Sequence, residues 1–136
     1  METRKILNQH RSVYFLIKDL KKQIRDIDTR LYGCKSGNLS GMPRGGVGVT
    51  KEDMAEEKAD IEKRIKRLEI VRKQKKEIVQ AYIDTVFSPR HNKVLTLFYI
   101  NVLPIYEIAK REGYSQRHVF RIFEQAHEMV DITLDL

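Results

Sequence analysis

Apolar and near-apolar positions recur along the N-terminal stretch at Ile6, His10, Val13, Ile17, Leu20, Ile24, Ile27 and Leu31, in alternating steps of four and three. That spacing is the seam of a coiled-coil-like helix. Leu7, Phe15 and Leu16 widen the stripe, which suits packing against more than one neighbour. At about 1.5 Å per residue such a helix reaches roughly 45 Å, more than a single helix buries alone. The periodicity stops between 33 and 50, where six of the chain's seven glycines fall together with Pro43. This reads as a long flexible connection. No Gly-Lys-Ser/Thr triplet occurs there and no strand pattern precedes it, so a phosphate-binding loop is rejected.

A second long helix is expected from Thr50 to about Phe87. Thr50 can cap the amide of residue 53, and Glu52 and Asp53 favour the positive end of the helix. Its seam runs through Met54, Ile61, Ile65, Leu68, Val79, Tyr82 and Val86, and is interrupted by Lys58, Arg72 and Lys75. Either the middle of this helix is exposed, or the seam drifts so that Val71 and Ile78 take over. Folding 51–87 back on 1–32 gives an antiparallel helical hairpin. A coiled coil between two chains satisfies the same pattern, and both arrangements stay open.

Ser88-Pro89 marks the next boundary, with Ser88 as the expected cap and Pro89 in the first helical turn. A third helix over about 89–101 carries Val94, Leu95, Leu97, Phe98 and Ile100, and Pro104 opens another. From Pro104 to Ile122 the internal spacing is that of a helix-turn-helix. Ala109 allows two helices to cross closely, Gly113 supplies a turn with positive φ, Tyr114 is expected to be buried beside it, and Ser115 caps the following helix. Val119, Ile122, Ala126 and Met129 then face the core. The opposite face presents Gln116, Arg117, Phe120, Arg121 and Glu124.

Those outward residues have the chemistry of a helix that enters the major groove of double-stranded DNA. Arg117 and Arg121 can fork onto guanine or hold a phosphate, and Gln116 can pair with adenine. Ser115 and His118 lie at the start of the same helix. Lys110 and Arg111 end the preceding one, and Arg90 and Lys93 can add phosphate contacts.

Charge sharpens this picture. The chain of 136 residues carries 26 Lys+Arg and 19 Asp+Glu, a formal charge of +7. The surplus lies in residues 1–32 (+4) and 33–50 (+2), whereas 88–136 sums to zero. That last block is polarised: Arg90, Lys93, Lys110, Arg111, Arg117 and Arg121 precede residue 122, and Glu124, Glu128, Asp131 and Asp135 follow it. The order of the charges, not their total, turns one end toward a polyanion.

Residues 88–129 resemble region four of bacterial sigma factors, through Glu107-Ile108-Ala109, Tyr114-Ser115, Val119 and Arg121-Ile122. The run Tyr99-Ile100, Glu107-Ile108-Ala109, Gly113 to Arg121 and Ala126, behind a long helical N-terminal part, is similar to phage late-gene transcription regulators of the ArpU and RinA type. The resemblance is specific over the last third of the chain. It implies a phage or prophage protein of a Gram-positive host that binds a promoter and activates late operons.

Other classes find less support. With 33% charged residues the chain offers no apolar run of the roughly 18 residues a membrane span needs. The N-terminus lacks a secretory pattern. Cys34 is the only cysteine, so a disulfide framework is impossible and a reducing, cytoplasmic setting is expected. His10, His91, His118 and His127 are scattered, with no carboxylate pair or nucleophile motif, so no catalysis, metal or cofactor is expected. His10 is expected as a half-buried seam residue and His118 as a groove-edge one. A small terminase-like packaging subunit forming a ring, or an adaptor docking RNA polymerase, are the competing readings.

The expectation is therefore an all-α protein. Residues 1–87 form a long coiled-coil-like hairpin for homodimerisation or contact with host RNA polymerase, and 88–136 form a small helix-turn-helix DNA-binding domain.

Overall fold

A computed structural model of the chain describes residues 2–33 and 50–134. Every regular element among them is helical. In chain order they are α1 (Glu2–Asp28), extended by a π turn at Thr29–Gly33, α2 (Lys51–Ile83), α3 (Pro89–Leu95), extended by a π turn at Thr96–Ile100, α4 (Ile105–Glu112) and α5 (Gln116–Leu134). Cys34, Pro43 and the glycines from Gly37 to Gly48, expected as a flexible connection, lie outside the described residues. No helix among the described residues is long and apolar enough to cross a membrane.

The chain divides into two compact units. In the unit Phe15–Ile70, Leu20, Ile27 and Ile61 are buried together, with Ile24, Leu31, Met54, Ile65 and Leu68 packed against them. Lys58 pairs with Asp28 at 2.7 Å and Lys21 with Glu69 at 3.9 Å. Residues later on α1 thus meet residues earlier on α2, and the two helices run antiparallel here. The ion pairs are solvent-exposed in part and add little; the apolar seam holds the pair. Thr50 starts α2 as expected. Its hydroxyl accepts the Asp53 amide at 3.0 Å and its own amide donates to the Asp53 carboxylate at 3.4 Å, so each residue caps the other. Phe15 and Leu16, expected to widen the α1 stripe, are 37% and 40% exposed. At 100° per residue Phe15 sits about 160° around the helix from buried Ile17, too far to share its face.

The second unit combines Met1–Tyr14 with Val71–Leu136. It is wider than the expected 88–136 domain, because its core takes Leu7 from α1 and Val79 and Ile83 from α2. Those three pack with Val86, Val94, Leu95, Leu97, Tyr99, Ile108, Ala109, Val119, Ile122, Phe123, Ala126 and Val130. On α2, Arg72 is half-buried against His10, while Ile78 is 42% exposed, so Ile78 does not take over the seam.

The second helix ends at Ile83 and not near Phe87. The amides of Thr85 and Val86 bond back to the carbonyls of Tyr82 and Ile83, and the Asn92 side-chain amide donates to the carbonyls of Ile83 and Val86 at 3.1 Å each. Carbonyls left over at a helix end are thereby satisfied and the chain turns, leaving Phe87 91% exposed. Ser88 makes no side-chain cap on α3; its hydroxyl lies 2.7 Å from His91 Nδ1 instead. The His91 imidazole thus takes the hydroxyl that would otherwise accept an amide of the first turn.

The third helix also changes character before its end. The amide of Asn101 reaches back five residues to Thr96 at 3.0 Å, which makes the last turn a π turn. Val102 then takes a left-handed conformation, φ 56°, and Leu103 bonds back to the Leu97 carbonyl. This reversal leads into α4, which packs on the Thr96–Ile100 turn and on α5.

Candidate nucleic-acid interface

Helix α4 begins where the Pro104 carbonyl accepts the amides of Glu107 and Ile108. It buries Ile108 and Ala109 and ends in a glycine with φ 73°. The amides of both Gly113 and Tyr114 return to the Ala109 carbonyl, so one buried alanine accepts the hydrogen bonds that close the turn. Gly113 takes the left-handed backbone expected from the sequence, and Ala109 is buried beside the turn.

Ser115 follows and caps α5: its hydroxyl accepts the His118 amide at 3.1 Å. Tyr114, expected to be buried, is half-buried, and its ring meets His118 edge-on with centroids 4.8 Å apart. His118 is half-buried for the same reason. The start of α5 is therefore fixed by a glycine turn, a serine cap and an aromatic pair.

The inner face of α5 buries Val119, Ile122 and Ala126 as expected, with Met129 partly buried. It also buries Phe123, His127 and Val130, which the three-and-four repeat missed. Adding four to Val119 and to Phe123 would have found two of them. The wide stripe is needed because the N-terminal turns of α1 also cover this helix. Arg4 pairs with Glu124 at 2.6 Å and stands over the Phe123 ring at 5.9 Å, and the Thr3 hydroxyl donates to Asp131. Arg11 lies over the Phe98 ring at 4.2 Å.

Inside this junction the Tyr99 hydroxyl is 2.6 Å from His127 Nε2, and His127 Nδ1 is 2.7 Å from the Phe123 carbonyl. A carbonyl only accepts, so Nδ1 carries the proton and Nε2 takes the hydroxyl proton of Tyr99. His10 likewise donates from Nδ1 to the Tyr99 carbonyl at 3.0 Å. Burial pushes both imidazoles below their ordinary value and pushes the Tyr99 phenol up to about 12. His10 is fully buried, not half-buried as its place on the seam suggested.

What remains outward on α5 is Gln116, Arg117, Phe120 and Arg121, all exposed. Glu124, expected on that face, is partly exposed and pairs with Arg4 at 2.6 Å. Lys110 and Arg111 are exposed in the last turn of α4, where the negative end of the helix also favours them. Lys93 is exposed and bridges to Glu112 at 3.4 Å, tying α3 to the end of α4; Arg90 is exposed in the first turn of α3. The acids flanking the start of α5 in sequence, Glu112 and Glu124, are thus both paired with bases, and the outward face between them is left with arginines. Among the described residues, no group of three or more His, Cys, Asp or Glu is placed to hold a metal ion. Comparison with protein-family models, with curated proteins and with solved structures finds no match to the chain.

Proposed function

We propose that this protein is a sequence-specific DNA-binding transcription regulator that reads the major groove of double-stranded DNA with the first two turns of α5. In this reading α4, the Gly113 turn and α5 are a helix-turn-helix, and α1 with α2 is an antiparallel hairpin that serves dimerisation or a contact with host RNA polymerase. The sequence resemblance to phage late-gene regulators extends the reading to activation of phage or prophage late genes.

One observation carries the proposal. Gln116, Arg117, Phe120 and Arg121 stand exposed at the start of α5, with Lys110 and Arg111 exposed at the end of α4, while Glu112 and Glu124 pair with Lys93 and Arg4. Forked guanidiniums and a carboxamide recognise base edges, and the flanking lysine and arginine suit phosphates. The antiparallel pairing of Lys58 with Asp28 and Lys21 with Glu69 supports the hairpin.

Selection from a pool of random duplexes, followed by a salt titration of the winning sequence, tests this. The expected result is a single enriched motif and an affinity that falls with salt on a log–log slope of about −3 or steeper, as several phosphate contacts require. An affinity indifferent to salt, or no enriched motif, overturns the proposal. Light scattering on the free chain separates a dimer from a closed ring of the packaging kind.

A further inference from the structure

Among the outward residues of α5, Phe120 has no electrostatic reason to be there. It is 54% exposed on a face that otherwise holds Gln116, Arg117 and Arg121. Isolated exposed apolar residues are common and call for no explanation by themselves. Phe120 differs in its setting. Its ring centroid lies 6.4 Å from that of buried Phe123, with the planes tilted by 40°, so the inner edge of the ring rests on the core while the outer edge points away from it. Arg117 lies one turn before it and Arg121 directly after it in the sequence, both exposed, so an apolar ring shares the start of α5 with two guanidiniums.

We infer that Phe120 selects for thymine at one position of the bound duplex by packing its ring against the 5-methyl group. This rests on the DNA-binding reading above and gives it a base preference that no hydrogen-bonding residue of the face supplies. In the major groove the base pairs present hydrogen-bond donors and acceptors, and the thymine 5-methyl is the apolar feature among them. A positively charged surround favours DNA over an apolar protein segment as the partner, because phosphates complement Arg117, Arg121, Lys110 and Arg111. With the arginines held to guanine or phosphate, the ring is the apolar group that this face can offer to a base edge.

The test replaces thymines of the selected duplex one at a time by uracil, which removes the methyl and leaves the hydrogen-bonding edge intact. For the full-length wild-type chain, one thymine per half-site should lose about fourfold in affinity, the worth of burying one methyl group. Phe120→Ala should lose a similar factor on the thymine duplex and no further affinity on the uracil duplex. Phe120→Leu, which keeps an apolar contact, should retain part of the discrimination and controls for folding, checked by thermal melting. If uracil costs nothing at any position, or costs Phe120→Ala as much as wild type, the inference fails while salt-sensitive, motif-specific binding leaves the DNA reading standing. Cytosines replaced by 5-methylcytosine form a second arm; a gain there without a loss at any thymine assigns the ring to methylated cytosine and overturns the thymine preference. If Phe120→Ala binds every duplex like wild type, the ring serves a protein contact and the inference is again overturned. Loss of all salt-sensitive binding by the wild-type chain removes both readings together.

Discussion

His10 and His127 make the unit formed by Met1–Tyr14 and Val71–Leu136 sensitive to acid. Both are buried, at 1% and 3% exposure, and each has Nδ1 engaged as a donor to a backbone carbonyl, of Tyr99 and Phe123 respectively. A second proton has nowhere favourable to go. On His127 it would confront the Tyr99 hydroxyl that now donates to Nε2, and on His10 it would set an imidazolium beside Arg72, 3.5 Å from Nε2, and near Lys76. Desolvation is the largest cause of the lowered pKa of each; Glu124 and Asp131 pull the other way at His127, and Arg4 opposes them. Because both folded-state values lie below the unfolded value near 6.5, the unfolded chain binds more protons as pH falls through that value. The stability these residues contribute is fully present above pH 6.5 and is lost below it. Each histidine contributes a slope of at most about 1.4 kcal/mol per pH unit, acting between its lowered folded-state value and the unfolded value near 6.5. Urea denaturation followed by circular dichroism, from about pH 7.5 down to about pH 5, reads this slope. His10→Asn and His127→Asn keep a donor where Nδ1 stood and do not titrate. Each should lower stability at neutral pH and flatten the slope by up to about 1.4 kcal/mol per pH unit. A wild-type stability that is level across the range, or variants with the wild-type slope, would refute the reasoning.

Three further outcomes are expected. Gly113→Ala should lower stability by about 1–2 kcal/mol from its left-handed backbone alone, since nothing lies within 4 Å of the added methyl; thermal melting showing no loss would mean that the turn relaxes freely. Tyr99→Phe removes the hydroxyl that His127 accepts and should cost about 1–3 kcal/mol in urea denaturation, and a neutral result would show that the buried nitrogen is satisfied in another way. Arg117→Ala should weaken binding to the selected duplex by about 1–3 kcal/mol with a changed base preference. An equal loss on every sequence would reassign Arg117 to a phosphate.

Local chemistry explains why some features were legible in the chain and others were not. The caps at Thr50 and Ser115 and the turn at Gly113 need only side chains within three residues of the amide they serve, so their residue types announce them. The exposed basic face of α5 follows from helical spacing once Val119, Ile122 and Ala126 are assigned inward. Ser88 shows the limit of such reasoning. It has the right type and place for a cap, yet its hydroxyl turns to His91, which itself reaches Gln125 on α5 at 2.9 Å. A residue 34 positions away thus bears on a local choice.

The sequence alone determined that the described chain would be helical, where the α4–α5 turn lies and which residues of α5 face outward at its start, because periodicity and capping act over one or two turns. The tertiary structure decided that Glu124 pairs with Arg4, that Phe123, His127 and Val130 are core, and that His10 is wholly enclosed. It also stopped α2 at Ile83 through Asn92. Each of these depends on a partner many residues away, brought close when α1 and the end of α2 pack into the same core as α3, α4 and α5. Hydrogen bonds and burial are satisfied by whatever is near in space, and nearness across 120 residues, as between Arg4 and Glu124, is written in no local pattern.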